Sequence, residues 1–96
     1  MIYRVRTLPA ADTDIHRLVD FLLERDVAAA SRAYDLILDG IRSLEQLPAR
    51  GRPTRRPDVR ELVLWFGRSA YVARYRIRDD EVVVMSVRHS LEKPQD

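Results

Sequence analysis

Residues 60–89 read RELVLWFGRSAYVARYRIRDDEVVVMSVRH. Three runs rich in Val, Tyr, Phe, Trp and Ile are separated by Gly67-Arg68-Ser69 and by Arg78-Asp79-Asp80, the pattern of consecutive antiparallel strands joined by short turns. The stretch predicts a three-stranded meander. In its middle run Tyr71, Ala73, Tyr75 and Ile77 alternate with Val72, Arg74, Arg76 and Arg78, so one face of that strand is apolar and the other strongly cationic. The first face needs a core, and the second is offered to a partner. In the first run the parity is open, although Trp65 and Phe66 cannot both point inward.

With 96 residues the chain is one small domain, and 46% apolar with 33% charged residues is a soluble globular composition. Cysteine is absent, which removes disulfides, thiolate catalysis and Cys-ligated zinc and fits a reducing compartment. No apolar run reaches the roughly 18 residues of a membrane span, and the N-terminus lacks a secretory pattern. A cytoplasmic location without membrane attachment is expected.

Net charge is only +2, but it is unevenly spread. Residues 1–48 hold six Arg against eight acids, giving −2; residues 49–96 hold ten Arg and one Lys against seven acids, giving +4. Between Arg50 and Arg78 nine Arg face only Asp58 and Glu61, a balance of +7. The basic residues are almost all Arg, whose planar fork binds phosphate or carboxylate in a bidentate way. An acidic partner is implied, either nucleic acid or an acidic protein segment; the alternative is a solvated, ion-paired surface.

Working outward, residues 1–7 form a strand with Ile2 and Arg4 on one side and Tyr3 and Val5 on the other, expected to join the meander. Residues 9–47 read as a helical hairpin. Pro9 suits a first helical turn, Asp12 and Asp14 suit the positive end of the helix dipole, and Ile15, Leu18, Val19, Leu22 and Leu23 make one apolar stripe. After Glu24-Arg25-Asp26, a second stripe of Ala30, Ala33, Tyr34, Ile37, Ile41 and Leu44 runs to a stop at Pro48, with Gly40 as a mid-helix weakness. Residues 49–58, ARGRPTRRPD, read as a basic, mobile loop, and residues 90–96 as a fraying tail. The order predicts an α+β domain, β-α-α-β-β-β, with the helices on one face of a mostly antiparallel sheet.

That order, with LPAADTDIHRLVDFLLERD at the first helix, the meander sequence quoted above and Arg60 just ahead of the sheet, resembles the RelE/ParE superfamily of toxins in type II toxin-antitoxin systems. The resemblance implies a small growth-arresting protein, neutralised by a cognate antitoxin whose acidic, amphipathic C-terminal segment wraps the helices and the sheet in a hetero-oligomer. RelE-like members are ribosome-dependent mRNA endonucleases, whereas ParE-like members act on DNA gyrase. The nuclease branch commonly carries a basic residue directly after the third-strand aromatic, but here Val72 follows Tyr71. That branch also tends to place an arginine and a tyrosine beyond the last strand, where this chain reads Ser90-Leu91-Glu92. These departures favour the ParE-like branch, hence a gyrase inhibitor and not an enzyme; an mRNA interferase and an inactive binding module are the alternatives.

Target binding is assigned to Arg60, Arg68, Arg74, Arg76, Arg88 and His89, with the loop residues Arg50, Arg52, Arg55 and Arg56 extending the footprint. In a nuclease, His89 with Arg74 and Arg88 would be the catalytic set, because transesterification of RNA needs proton transfer and cations for the phosphorane. If Arg88 faces out with Ser86, however, His89 falls on the opposite side and anchors a strand end. His16 is structural or surface, and no spacing suits a metal or other cofactor. Antitoxin binding is assigned to Ile15, Leu18, Val19, Leu22, Tyr34 and Ile37 on the helices and to Arg74 and Arg76 on the sheet.

Overall fold

The alternation along the middle run is realised in the central strand of a sheet. A computed structural model of the chain describes residues 1–93. Its elements are β1 (Arg4–Thr7), α1 (Pro9–Leu23), α2 (Val27–Ser43), β2 (Arg52–Pro53), β3 (Val59–Phe66), β4 (Ser69–Arg78) and β5 (Glu81–His89). The strand order is β1-β5-β4-β3-β2, with β1 parallel to β5 and every other pair antiparallel. The expected α+β architecture holds. The additional element is β2, a two-residue edge strand within the basic segment, an edge being where a sheet tolerates proline.

Both helices lie on the Tyr71-Ala73-Tyr75-Ile77 side. Ile15, Leu18, Ala33, Ile37, Ile41 and Leu44 pack there with Leu62 and Leu64 of β3, Tyr71, Ala73 and Tyr75 of β4, and Val82, Val84 and Val87 of β5. The open parity of β3 is thereby resolved. Leu62, Leu64 and Phe66 turn toward the helices, while Trp65 turns away and stays 72% exposed. Gly40 also gains a reason: a Cβ there would lie 2.6 Å from a methyl of Leu64, so the bare backbone lets α2 settle on β3.

The helix starts differ. Asp26 caps α2 by accepting from the Ala29 N–H at 3.0 Å, whereas α1 begins at Leu8 with no side-chain cap and a proline in the first turn. Asp14, read as a dipole partner, instead accepts the Val87 N–H at 2.9 Å and ties α1 to β5. Helix α2 ends at Ser43, short of the expected Leu47, because residues 44–46 continue only as turn. At the β4–β5 turn Asp79 takes a φ of 56°, a left-handed conformation that Asp tolerates better than most residues.

Strand β5 carries a bulge. Arg74 faces Ser86 and Tyr75 faces Val84, leaving Met85 unopposed, and one extra residue exchanges the faces of all that follows. Val82 and Val84 point to the helices before it and Val87 after it.

The basic segment is pinned where it leaves α2. The Tyr75 hydroxyl donates to the Pro48 carbonyl at 2.7 Å and accepts from the Gly51 N–H at 2.9 Å. A Cβ on Gly51 would sit 2.6 Å from that hydroxyl. Burial pushes the phenol pKa up against the opposing Gly51 bond and nearby Arg60 and Arg50, which keeps it a donor. Tyr75→Phe retains the ring but leaves a buried N–H and a carbonyl without this partner. It is expected to cost about 1–3 kcal/mol, read as a lower urea midpoint at unchanged slope; an unshifted midpoint would show that the hydroxyl does not anchor the segment.

Candidate functional site

Among the described residues no helix covers the second face of the sheet. Register brings its outward residues into rows: Arg4 with Glu81 and Arg78, Arg6 with Val83, Arg76 and Val59, Ser86 with Arg74, Glu61 and Arg52, and Arg88 with Val72 and Val63. Arginine dominates these rows, against two glutamates. Part of the charge is compensated: Arg4 pairs with Asp80 at 3.0 Å, Arg6 with Glu81 at 3.2 Å, and Glu61 with Arg52 at 2.9 Å and Arg74 at 3.7 Å. The Arg4 hydrogen bond and charge hold the Asp80 carboxyl below its ordinary pKa. Val72 and Val83 are each only 3% exposed on this uncovered face, so the arginine stems lie across them as a lid.

The expected target-binding set is divided between faces. Arg74, Arg76 and Arg88 share the open face, and Arg68 stands exposed in the β3–β4 turn. Arg60 does not join them. It is paired with Tyr75 and donates to the Gly51 carbonyl at 2.7 Å. Of the loop arginines, Arg50 donates to Ser43 and Arg52 to Glu61, while Arg55 and Arg56 are exposed.

The bulge also sends His89 to the helix side, where it pairs with Tyr71 and meets that ring edge-on at 5.6 Å. Its Nδ1 accepts the Leu91 N–H at 3.2 Å. The ring proton is therefore on Nε2, 3.0 Å from the Ser69 hydroxyl that receives it. Both nitrogens are hydrogen-bonded within the chain, and the ring stands on the opposite side of the sheet from Arg74, Arg76 and Arg88. His16 is exposed on α1, and no cluster of metal-ligating side chains occurs among the described residues.

Of the residues assigned to antitoxin binding, Ile15, Leu18 and Ile37 are 5%, 7% and 0% exposed. They are spent on the core, although Leu18 also borders a concavity beside α1. Val19 and Leu22 are half-buried against the core, and Tyr34 is exposed. This open concavity lies between α1 and the sheet, where β3 and β5 end and β4 begins. It has a volume of about 850 Å³ and is lined by Leu18, Phe21, Leu22, Phe66, Tyr71 and His89, with Arg17 and the acids Asp20, Glu24 and Glu92 among its polar residues. Phe21, 57% exposed with the Arg25 guanidinium 3.8 Å from its ring centre, falls outside the apolar stripe of its helix. Periodicity therefore gave it no weight.

The start of the tail is fixed, contrary to the expected fraying. Ser90 donates its N–H to the Ala70 carbonyl at 2.8 Å. Glu92 accepts the His89 N–H at 2.8 Å and pairs with Arg17 of α1 at 2.9 Å. Residues 94–96 lie outside the described residues.

A family model described as the ParE toxin of the type II toxin-antitoxin system parDE matches residues 5–94. Two proteins of Caulobacter vibrioides are similar along most of their length. Toxin RelE1 is 40% identical over 93 residues, covering 97% of this chain and 99% of its own, and Toxin RelE3 is 42% identical over 85 residues, covering 88% and 91%. Among solved structures, the chromosomal ParDE system of P. aeruginosa superposes with a TM-score of 0.77 at 22% identity, over 92% of this chain and 96% of that one. The RelBE2 toxin-antitoxin complex of Mycobacterium tuberculosis gives 0.65 at 26% identity, over 93% and 99%.

The His89 N–H bond, aided by Arg17 and opposed by burial, holds the Glu92 carboxyl below its ordinary pKa of 4.5. A carboxylate with a folded pKa below its unfolded one stabilises the fold above the ordinary value, and loses that contribution as pH falls through the depressed one. Glu92→Gln is accordingly expected to be less stable than wild type at pH 7, the difference closing below about pH 4.5. Urea unfolding at both pH values reads this; a gap independent of pH would rule out the charged tether.

Proposed function

The chain belongs to the ParE toxin family of type II toxin-antitoxin systems, and from that membership we propose that it arrests growth by poisoning DNA gyrase in the cytoplasm. It acts by binding and not as a nuclease. The observation that carries the binding-only mode is the separation of His89 from the arginine face, with both its ring nitrogens engaged by Leu91 and Ser69. The gyrase target rests on resemblance to the ParE-like branch, supported by Val72 after Tyr71 and by Ser90-Leu91-Glu92 after the last strand.

A second reading is favoured by the names of the Caulobacter relatives, Toxin RelE1 and Toxin RelE3. On that reading the chain cleaves mRNA on the ribosome. Arg74 and Arg88 would bear the phosphorane charge, and His89 would have to leave Ser69 and Leu91 to move a proton.

Neutralisation is assigned to an antitoxin segment laid in the concavity beside α1. Phe21 and the half-buried Leu22, Phe66 and the Tyr71–His89 pair form an apolar floor suited to the nonpolar side of an amphipathic helix. Acidic residues of the same segment would meet Arg25 at the end of α1 and continue to Arg74 and Arg76 on the sheet.

Expression without antitoxin is expected to induce the SOS response and gyrase-linked DNA breaks while ribosome-bound messages stay intact, and His89→Ala is expected to keep that toxicity. Codon-specific message cleavage that disappears in His89→Ala would reverse the choice between readings. Phe21→Asp is expected to weaken antitoxin binding at least 10-fold, on the order of 1.4 kcal/mol or more for a buried aromatic anchor. Calorimetry reads this, and an unchanged Kd would move the docking site away from α1.

A further inference from the structure

We infer that the uncovered face of the sheet binds single-stranded DNA directly, with Trp65 as the stacking platform and Arg68, Arg76 and Arg88 on the phosphates. Trp65 is 72% exposed although its strand neighbours Leu64 and Phe66 are packed inward. It stands opposite Ala70 and beside the Val63–Val72 pair, where no large side chain shields the indole. Arg68 lies in the adjoining turn and Arg88 is the partner of Val72, so cations flank the ring. Arg76 supplies an independent sign: its Nε is shut off from solvent and has no hydrogen-bond partner among the described residues. A buried donor left unsatisfied is costly, and an anion that draws the guanidinium outward would relieve it.

A purely acidic polypeptide would use the guanidinium groups and give the indole no stacking partner. A single strand uses both, since every base presents a π-face and each link carries a charge. From Val59 to Trp65 the outward positions run along about 20 Å of strand, room for several nucleotides. The choice of DNA over RNA rests on the gyrase reading.

The chain contains a single tryptophan, so its fluorescence reports on this face alone. Titration with an oligo(dT) of about 15 nucleotides near 50 mM salt is expected to quench it saturably. With three or four phosphates neutralised, raising salt to about 200 mM should weaken binding roughly 20- to 50-fold. Trp65→Ala, followed by anisotropy of a labelled strand, should bind roughly 5- to 100-fold less tightly. Arg76→Gln should lower the salt slope by about 0.7. Circular dichroism would verify that both variants are folded. Absence of quenching at low salt, an unchanged affinity in Trp65→Ala, or tenfold tighter binding of oligo(rU) would each overturn the inference. So would equal quenching by polyglutamate, which would make this a protein-docking face. A chain that binds oligo(dT) but produces no gyrase-linked breaks would sink the gyrase reading alone.

Discussion

Strand β4 is the middle of the sheet, and helices cover only one of its sides. Tyr71, Ala73 and Tyr75 are 3%, 0% and 0% exposed in the core that the sheet shares with α1 and α2, and this burial sets the facing of the strand. It commits the alternate residues to the opposite face, where no second layer lies among the described residues. Arg74 and Arg76 can occupy a central strand there because both stay half-buried rather than fully enclosed, with Arg74 beside Glu61 and the long stems over Val72 and Val83. A charged residue on the covered face would have required a buried partner.

The unopposed Met85 decides what each face can do chemically. Without it, strict alternation from Val82 and Val84 would carry Arg88 into the core and His89 out among the arginines. With it, a cation joins the open face and the imidazole is drawn into a shell of Tyr71, Ser69 and the Leu91 amide. One residue of register thus separates a surface fitted to hold anions from the only ring in this half of the chain suited to moving protons.

The two recognition surfaces also differ in kind. The concavity beside α1 has an aromatic and aliphatic lining that favours nonpolar burial, together with Asp20, Glu24 and the Arg17–Glu92 pair. The open face is broad and cationic with one exposed indole. Its surface ion pairs are worth little individually, so exchanging Asp80 or Glu81 for a stronger anionic partner costs little.

Much of this was legible in the chain itself. Period-two alternation in residues 71–78 fixed which side of β4 meets a core, the two helical stripes fixed a hairpin, and Pro48 with Gly67 and Asp79-Asp80 marked where elements stop and turn. These are local signals, set by backbone geometry and by the need to bury apolar side chains. Phe21, the fate of Arg60 and the side taken by His89 were not legible. Each depends on a partner distant in sequence: the groove walls from β4 and β5, the Gly51 carbonyl, and the slip of register at Met85. Residue types and spacing determined that there would be a cationic strand face and a histidine near it; only the packed sheet decided that the two would stand on opposite sides, because a bulge changes facing without leaving a mark in composition or period.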